Sequence, residues 1–322
     1  MYRGFRQTWC RCRGRFPALQ TRCSPTRTMP CLARQQATGW LLAGASAYAE
    51  GHYVAGVEGI QAASAPPPGD YYLAYLVHYD IDNFRVPGSD AKLPGSNTGS
   101  VTALANRFIK ITNVKVFGAD YGFEAIVPVI RTSLDIHAVG LRDSGTGIGD
   151  VYLGPLVLAW HGIRWDSVAA AGIWLDTAST SSPGAPGKGY KSAMLTGGGT
   201  YYFDQEKSVT GSVLFRYERH GRKASGVRPG DQLSMEWGIG KNFGQYSLGV
   251  VGYSQWQLGN DSGAQVSQGN SQRHAVGLEV NYPVAAAGVF LKGAFYKEFS
   301  VRGGSGAEPA GSLFRVTVVK PF

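Results

Sequence analysis

The connections between the predicted strands constrain the fold of this chain more than any other feature of its sequence. Between residues 70 and 322, long polar connections such as 83–99, 137–148 and 177–190 alternate with tight turns such as 117–120. A soluble β-sandwich has no reason to gather every long loop at one end, whereas an outer-membrane β-barrel has short periplasmic turns and long extracellular loops. The sequence therefore predicts an all-β fold, a single antiparallel transmembrane β-barrel of about twelve strands.

Segments rich in β-branched and aromatic residues supply these strands. They cover residues 70–82, 100–117, 119–136, 149–162, 164–176, 191–204, 207–222, 228–243, 244–258, 272–283, 286–302 and 311–322. Successive side chains of a strand face opposite sides, and in 272–283 Val276 and Leu278 alternate with Gly277 and Glu279. Polar and glycine residues on the inner face predict a water-filled lumen and not a packed core.

Some residues predict irregularities or special positions in these strands. In the second segment Arg107 and Lys110 do not share one face, which predicts a bulge. Pro128 has no amide hydrogen for the ladder, so it predicts a break in the third segment. Aromatic residues near segment ends, among them Tyr152 and Trp174, are expected at the lipid–water interfaces.

The last segment, residues 311–322, ends the chain on an aromatic residue, Phe322. Its apolar residues Phe314 and Val316 face one way, while Arg315 faces the other. Many bacterial outer-membrane barrels end in such a strand, and the outer-membrane assembly machinery recognises that end. Closure of the barrel would pair this strand with the first one and leave no free edge.

Residues 1–49 are expected to be a leader that is removed. They contain eight Arg and no acidic residue. The rest of the chain has 23 basic and 22 acidic side chains, so the basic net charge of +9 belongs mainly to the leader. From Met29 onward the sequence fits a secretory signal, with Arg34, a short apolar core and an A-x-A cleavage site at 47–49. The stretch before Met29 is interpreted as an over-extended start. All four cysteines lie in the leader, and no nucleic-acid binding is expected of the mature chain.

Residues 50–69 form a lead-in before the first predicted strand and include three consecutive prolines. A periplasmic tail has little need for the apolar residues found here, which are Tyr53, Val54, Val57 and Ile60. We hypothesise that the lead-in folds up into the lumen as a plug, with these four side chains forming a small apolar face. An unstructured periplasmic lead is the alternative. In either case residues 70–322 form the barrel.

Several charged residues are candidates for lining the lumen. They are Arg216, Glu218, Glu236, Glu279, Lys292, Glu298 and Arg315. They could form opposing rows that set the selectivity of a pore, or they could pair across the interior and stabilise it. The sequence leaves both interpretations open. The mixture of signs argues against a strongly anion- or cation-selective pore.

No sequence pattern indicates a catalytic, cofactor or metal site. The six histidines are scattered, without an H-E-x-x-H motif. Gly145, Gly147 and Gly149 precede a strand, whereas a phosphate loop is followed by a helix, so they are interpreted as a turn. An outer-membrane barrel enzyme acting on lipids is the alternative function. The His-x-Ser pair of such phospholipases does not occur here, so the serine would have to come from another strand.

Several stretches of the chain resemble one family. Residues 51–60 (GHYVAGVEGI), the prolines at 66–68 with the tyrosines that follow, residues 147–161 (GIGDVYLGPLVLAWH) and the terminal KPF are similar to the outer-membrane channel family named for the meta-cleavage pathway of phenol degradation. The resemblance spans residues 50–322. It implies a channel in the bacterial outer membrane for passive uptake of small hydrophobic or aromatic compounds. Membrane lipids and these solutes are then its partners, and neither enzymatic activity nor a cofactor is expected.

Overall fold

A computed structural model of the protein describes residues 51–263 and 269–322. The predicted leader, residues 1–49, lies outside the described residues. The strands are β1 (Gly69–Arg85), β2 (Asn97–Val116), β3 (Ala119–Ile136), β4 (Leu141–Ile148), β5 (Tyr152–His161), β6 (Trp165–Trp174), β7 (Ser192–Tyr202), β8 (Val209–His220), β9 (Gln232–Asn242), β10 (Ser247–Gln257), β11 (Gln272–Val284), β12 (Val289–Arg302) and β13 (Glu308–Pro321). Single turns of 3-10 helix, His137–Val139 and Ala285–Ala287, join β3 to β4 and β11 to β12. Among the described residues, no helix has the length and hydropathy to cross a membrane.

The strands form one antiparallel sheet that closes on itself. β1 pairs with β2 on one side and with β13 on the other, where Tyr71 lies opposite Pro321. β4 and β5 share one position in the wall, because β4 pairs with residues 129–136 of β3 and β5 pairs with residues 120–126. The thirteen described strands therefore make a barrel of twelve positions, and the predicted fold and closure are confirmed.

The prediction that residues 137–148 form a loop is wrong, because Leu141–Ile148 form β4. Exposed and half-buried residues alternate along β4 and none is buried, so the sequence carries no apolar face to indicate a strand. Hydrogen bonds to the outer part of β3 satisfy its backbone groups instead. Pairing with a neighbour, and not side-chain burial, thus determines this strand.

The bulge predicted in the second segment occurs, whereas the break predicted at Pro128 does not, because β3 runs unbroken through Pro128, which pairs with Ala105 of β2. The register of β2 against β3 shifts between Ile111 and Lys115. Pro128 of β3 lies opposite the interruption between β4 and β5, where its carbonyl accepts a hydrogen bond of 2.8 Å from the amide of Gly149. The proline therefore sits where the neighbouring strand is broken.

The two ends of the barrel differ in the length of their connections. At one end, β2 and β3 are joined by Phe117 and Gly118, whose φ angles of 52° and 77° suit the positive φ values of a type I′ hairpin turn. At the other end lie the long connections 86–96, 175–191 and 221–231. In an outer-membrane barrel the short turns face the periplasm, so β1 starts at the periplasmic end.

The outer face of the wall is apolar, as contact with lipid requires. Large exposed side chains on it include Leu104, Phe108, Leu195, Phe215, Leu278, Phe295 and Phe314. The inner face has two unlike halves. On β1–β6 it carries mainly apolar residues, such as Val77, Val101, Ala103, Ile109 and Ile126, whereas on β7–β13 it carries polar and charged residues, such as Ser212, Glu218, Glu236, Gln255 and Glu279.

The predicted polar inner face is found on β7–β13, whereas on β1–β6 many inward side chains are apolar and belong to buried clusters. Tyr152 and Trp174, expected at the lipid interface, also point inward and belong to this core. The alternation of a strand shows that two faces differ, but it does not show which aromatic residue faces the lipid.

Candidate functional site

The lead-in runs through the inside of the barrel, and residues 51–68 are called the lumen segment below. Its first residues lie near the extracellular end, where the amide of His52 donates a 3.2 Å hydrogen bond to Glu218. Its last residues lie near the periplasmic end, where the hydroxyl groups of Ser64 and Tyr202 are 3.4 Å apart. The lumen segment therefore occupies the length of the lumen before the chain enters β1.

Carboxylates of the barrel wall accept hydrogen bonds from the backbone of the lumen segment. Glu218 of β8 accepts from the amides of His52 and Tyr53, both at 3.2 Å. Glu236 of β9 accepts from the amide of Glu58 at 3.0 Å, and Glu279 of β11 accepts from that of Ile60 at 3.1 Å. The described lumen segment has no strand or helix to satisfy its amides, so these charge-assisted bonds take that role.

The other candidate lumen charges also lie on the inner face of the wall. Arg315 forms an ion pair with Glu279 in which both side chains are fully buried, and it donates to the carbonyl of Gly56 at 3.2 Å. Glu298 accepts hydrogen bonds from Tyr79, Tyr253 and Arg273 at 2.8–3.0 Å. Lys292 is half-buried on the inward side of β12. Arg216 lies at the centre of the group described below.

The four candidate plug residues contact the barrel wall or border a cavity. Tyr53 lies under the guanidinium of Arg216, whose Cζ is 4.2 Å from the ring centroid, and its hydroxyl donates to Glu236. Ile60 packs on glycines of β9 and β10, and a methyl group added at Gly238 would lie 2.7 Å from the backbone of Ile60. Val54 and Val57 border a cavity, as Tyr53 does.

This cavity, of about 520 Å³, is lined by the lumen segment, by β1–β3 and by single residues of later strands. Its volume is that of an ordinary small-molecule site. Apolar side chains dominate the lining, including Val77, Ala103, Ala105, Ile126, Ile130 and Leu313. Residues 180–188 of the β6–β7 connection border it at the extracellular end. Towards the middle of the barrel it reaches Glu58, Arg107 and Arg216.

Glu58 of the lumen segment is bound by arginines from two walls of the barrel. Its Oε1 lies 2.6 Å from Nη2 of Arg216 and 3.2 Å from Nη1 of Arg107. Arg107 also contacts Glu124 at 2.6 Å and the hydroxyl of Tyr75 at 3.1 Å. Burial alone would raise the pKa of Glu58, but the two guanidinium groups outweigh it and lower the pKa to about 2.

Sequence reasoning missed Glu58, Arg107 and Glu124 as members of the site. Arg107 shares its parity with the inward-facing residues Ala103 and Ala105, so its direction was available from the alternation of β2. The local sequence of Glu58 offered no such signal, because its contacts come from residues 49 and 158 positions away.

Asp150 joins the top of the lumen segment to the β6–β7 connection. Its carboxylate accepts hydrogen bonds of 2.9 Å from the amides of Thr177, Ala178 and Lys188, and it lies 3.3 Å from Nε2 of His52. Burial would raise the pKa of Asp150, but His52 and these amides lower it. His52 also stacks on Trp174, with 5.5 Å between the ring centroids.

No group of three or more His, Cys, Asp or Glu side chains in residues 51–263 and 269–322 is arranged to hold a metal ion.

Comparison with known proteins decides the family. The sequence profile of the family described as "Putative MetA-pathway of phenol degradation" matches residues 81–315, well over half of the chain. The chain belongs to this family. The predicted family is thereby confirmed, and of the short motifs residues 147–161 lie within the match. No curated protein matches the chain.

A solved outer membrane channel has the same fold as this chain. The crystal structure of the COG4313 outer membrane channel from Pseudomonas putida F1 matches with a TM-score of 0.70 and 13% identity, covering 84% of this chain and 100% of that one. The translocator domain of the autotransporter NalP from Neisseria meningitidis matches with a TM-score of 0.46 and 12% identity, covering 90% and 97%. With its family and the closed barrel, the protein is a β-barrel of the bacterial outer membrane.

Proposed function

We propose that the protein is a passive outer-membrane channel for small hydrophobic or aromatic molecules, and that the lumen segment plugs it at rest. The observation that carries this proposal is the cavity between the lumen segment and the apolar half of the wall. A hydrophobic solute that enters from the extracellular end meets apolar side chains along this route. The family name, which refers to phenol degradation, and the likeness to an outer membrane channel support the same function.

In this proposal most of the charged lumen residues hold the plug, whereas Arg216 also borders the cavity. Glu218, Glu236 and Glu279 are engaged with the lumen segment, and Arg315 with Glu279. They lie on the polar half of the wall, away from the apolar lining of the cavity. The solute would therefore pass on the other side of the lumen segment from most of these charges.

The contacts do not favour the alternative of a lipid hydrolase. A serine, a histidine and an aspartate do come together, since Nδ1 of His52 is 2.9 Å from the hydroxyl of Ser192 and Nε2 is 3.3 Å from Asp150. Ser192 is only 1% exposed and does not line the cavity, so a substrate carbonyl has no access to its hydroxyl. We interpret this group as an anchor for the lumen segment.

We also propose that β13 is the strand that the assembly machinery recognises. Its final residue, Phe322, is 80% exposed at the periplasmic end, where its amide donates to the carbonyl of Asp70 at 3.0 Å. The aromatic ring is thus available to a periplasmic receptor.

Deletion of residues 51–66 tests the channel and the plug together. In planar bilayers the deletion variant should conduct more than the intact protein, because the lumen loses the chain that fills it. A variant with a Gly/Ser spacer of the same length keeps the chain but loses its side chains, so its conductance relative to the deletion separates side-chain anchoring from chain length. A gel shift on heating shows that each barrel is folded. Equal conductance of all three folded proteins would refute the plug, and no conductance from any of them would refute the channel.

A further inference from the structure

The carboxylate of Glu58 is the acidic group of the lumen segment, and its bonding is incomplete. A single oxygen, Oε1, serves both Arg107 and Arg216. Arg107 has a second carboxylate partner in Glu124. Arg216 has no other ion-pair partner among the described residues, and its Nε and Nη1 atoms are buried without a hydrogen-bond partner there. The guanidinium of Arg216 thus depends on Glu58 and is not fully satisfied by it.

The cavity brings an apolar molecule directly to this group. Glu58, Arg107 and Arg216 all line it, and the side chains of Glu58 and Arg107 remain 15% and 16% exposed. Apolar residues of the lining include Val57 on the lumen segment and Ala105 on β2, and the carboxylate of Glu124, paired with Arg107, borders the cavity as well. A bound molecule with an apolar body would therefore place its polar end beside the two arginines.

We propose that the cavity binds small apolar carboxylates, such as aromatic acids, whose carboxylate takes the place of Glu58 between Arg107 and Arg216 and so releases the lumen segment. This inference rests on the proposed channel function and names the solute class that opens the channel. The exchange replaces one negative charge by another. Arg216 therefore keeps a counter-charge throughout, whereas a neutral solute that displaced Glu58 would leave it unpaired; Arg107 would retain Glu124.

The geometry also gives a free carboxylate an advantage over Glu58. A guanidinium can bind both oxygens of a carboxylate through parallel hydrogen bonds, which is its strongest arrangement. Glu58 is tied to the lumen segment, whose backbone is fixed by Glu236 at 3.0 Å, and it offers Arg216 one oxygen. A mobile solute can turn its carboxylate to satisfy the donors of Arg216 that Glu58 leaves unpaired.

Calorimetric titration with benzoate and with its neutral analogue benzyl alcohol tests the proposal. The decisive quantity is the ratio of their affinities, because a looser lumen segment alters access for both ligands equally. Glu58→Gln removes the competing carboxylate and should raise the preference for benzoate about tenfold or more, the scale of a charged hydrogen bond. Arg216→Gln should remove most of the preference. Glu206→Gln, an exposed carboxylate in the β7–β8 turn, is the matched control and should leave it unchanged.

Two outcomes would overturn the inference. In the first, Glu58→Gln changes the affinities for benzoate and benzyl alcohol by the same factor, which would make Glu58 a structural anchor alone. In the second, neither compound binds the folded wild-type protein. The gel shift on heating again identifies folded barrels. Failure here is distinct from failure of the channel, because the conductance of the deletion variant does not depend on which solute binds.

Discussion

The ion pairs of Glu58 determine how firmly the lumen segment is held, and Glu58→Gln measures this directly. Burial would raise the pKa of Glu58, but Arg216 and Arg107 lower it from 4.5 to about 2. A difference of about 2.5 units corresponds to about 3 kcal/mol, by which the charged carboxylate favours the docked segment over a neutral side chain. The substitution should therefore raise the ratio of released to docked segment on the order of 10²-fold.

Cysteine labelling can measure the released fraction. All four native cysteines lie before residue 50, so a cysteine introduced into the lumen segment is a unique reporter in the mature chain. Ile60 is 2% exposed, and Ile60→Cys should react with a membrane-impermeant maleimide only after release. Addition of Glu58→Gln should increase the labelling rate on the order of 10²-fold, and addition of Glu206→Gln should not. An increase of less than about threefold, below 1 kcal/mol, would refute the reasoning.

The same ion pairs predict a dependence on pH. The pKa of Glu58 is lowered in the docked state, so its stabilisation is fully present above about pH 4.5 and is lost as the pH falls towards 2. The open fraction of the wild-type channel in planar bilayers should therefore approach that of Glu58→Gln over this interval. A gap between the two proteins that persists at pH 2 would contradict the assignment.

Further substitutions test other parts of the site. Gly59→Ala should weaken docking of the lumen segment by about 1 kcal/mol or more, because Gly59 has a φ of 80° and an added methyl group would overlap the carboxylate of Glu279. A higher conductance in planar bilayers would report the release of the segment. Arg315→Met should destabilise the barrel by about 3–5 kcal/mol, because it leaves a buried carboxylate without its partner, and the temperature of the gel shift should fall. Asp150→Asn should speed tryptic cleavage after Lys188, since the β6–β7 connection loses charge-assisted bonds worth about 1 kcal/mol each; an unchanged cleavage rate would show that Asp150 does not hold this connection.

Much of the barrel could be predicted because its determinants are local. A strand in a membrane wall must alternate between lipid and lumen, so residues such as Val276 and Glu279 indicate both the strand and its faces. Turn lengths then fix the order and direction of neighbouring strands. The exception, β4, has no apolar face and is held by its pairing with β3, which no local pattern reveals.

The sequence by itself thus determined a closed antiparallel barrel, its family and the inward direction of residues such as Arg216. Only the tertiary structure decided that one half of the wall is apolar, that the lumen segment runs along the other half, and that Glu58 lies between Arg107 and Arg216. The physical reason is distance along the chain. Two-residue periodicity is repeated within each strand, whereas a contact across the lumen depends on the register of all the strands between, and Glu58 meets Arg216 over 158 residues.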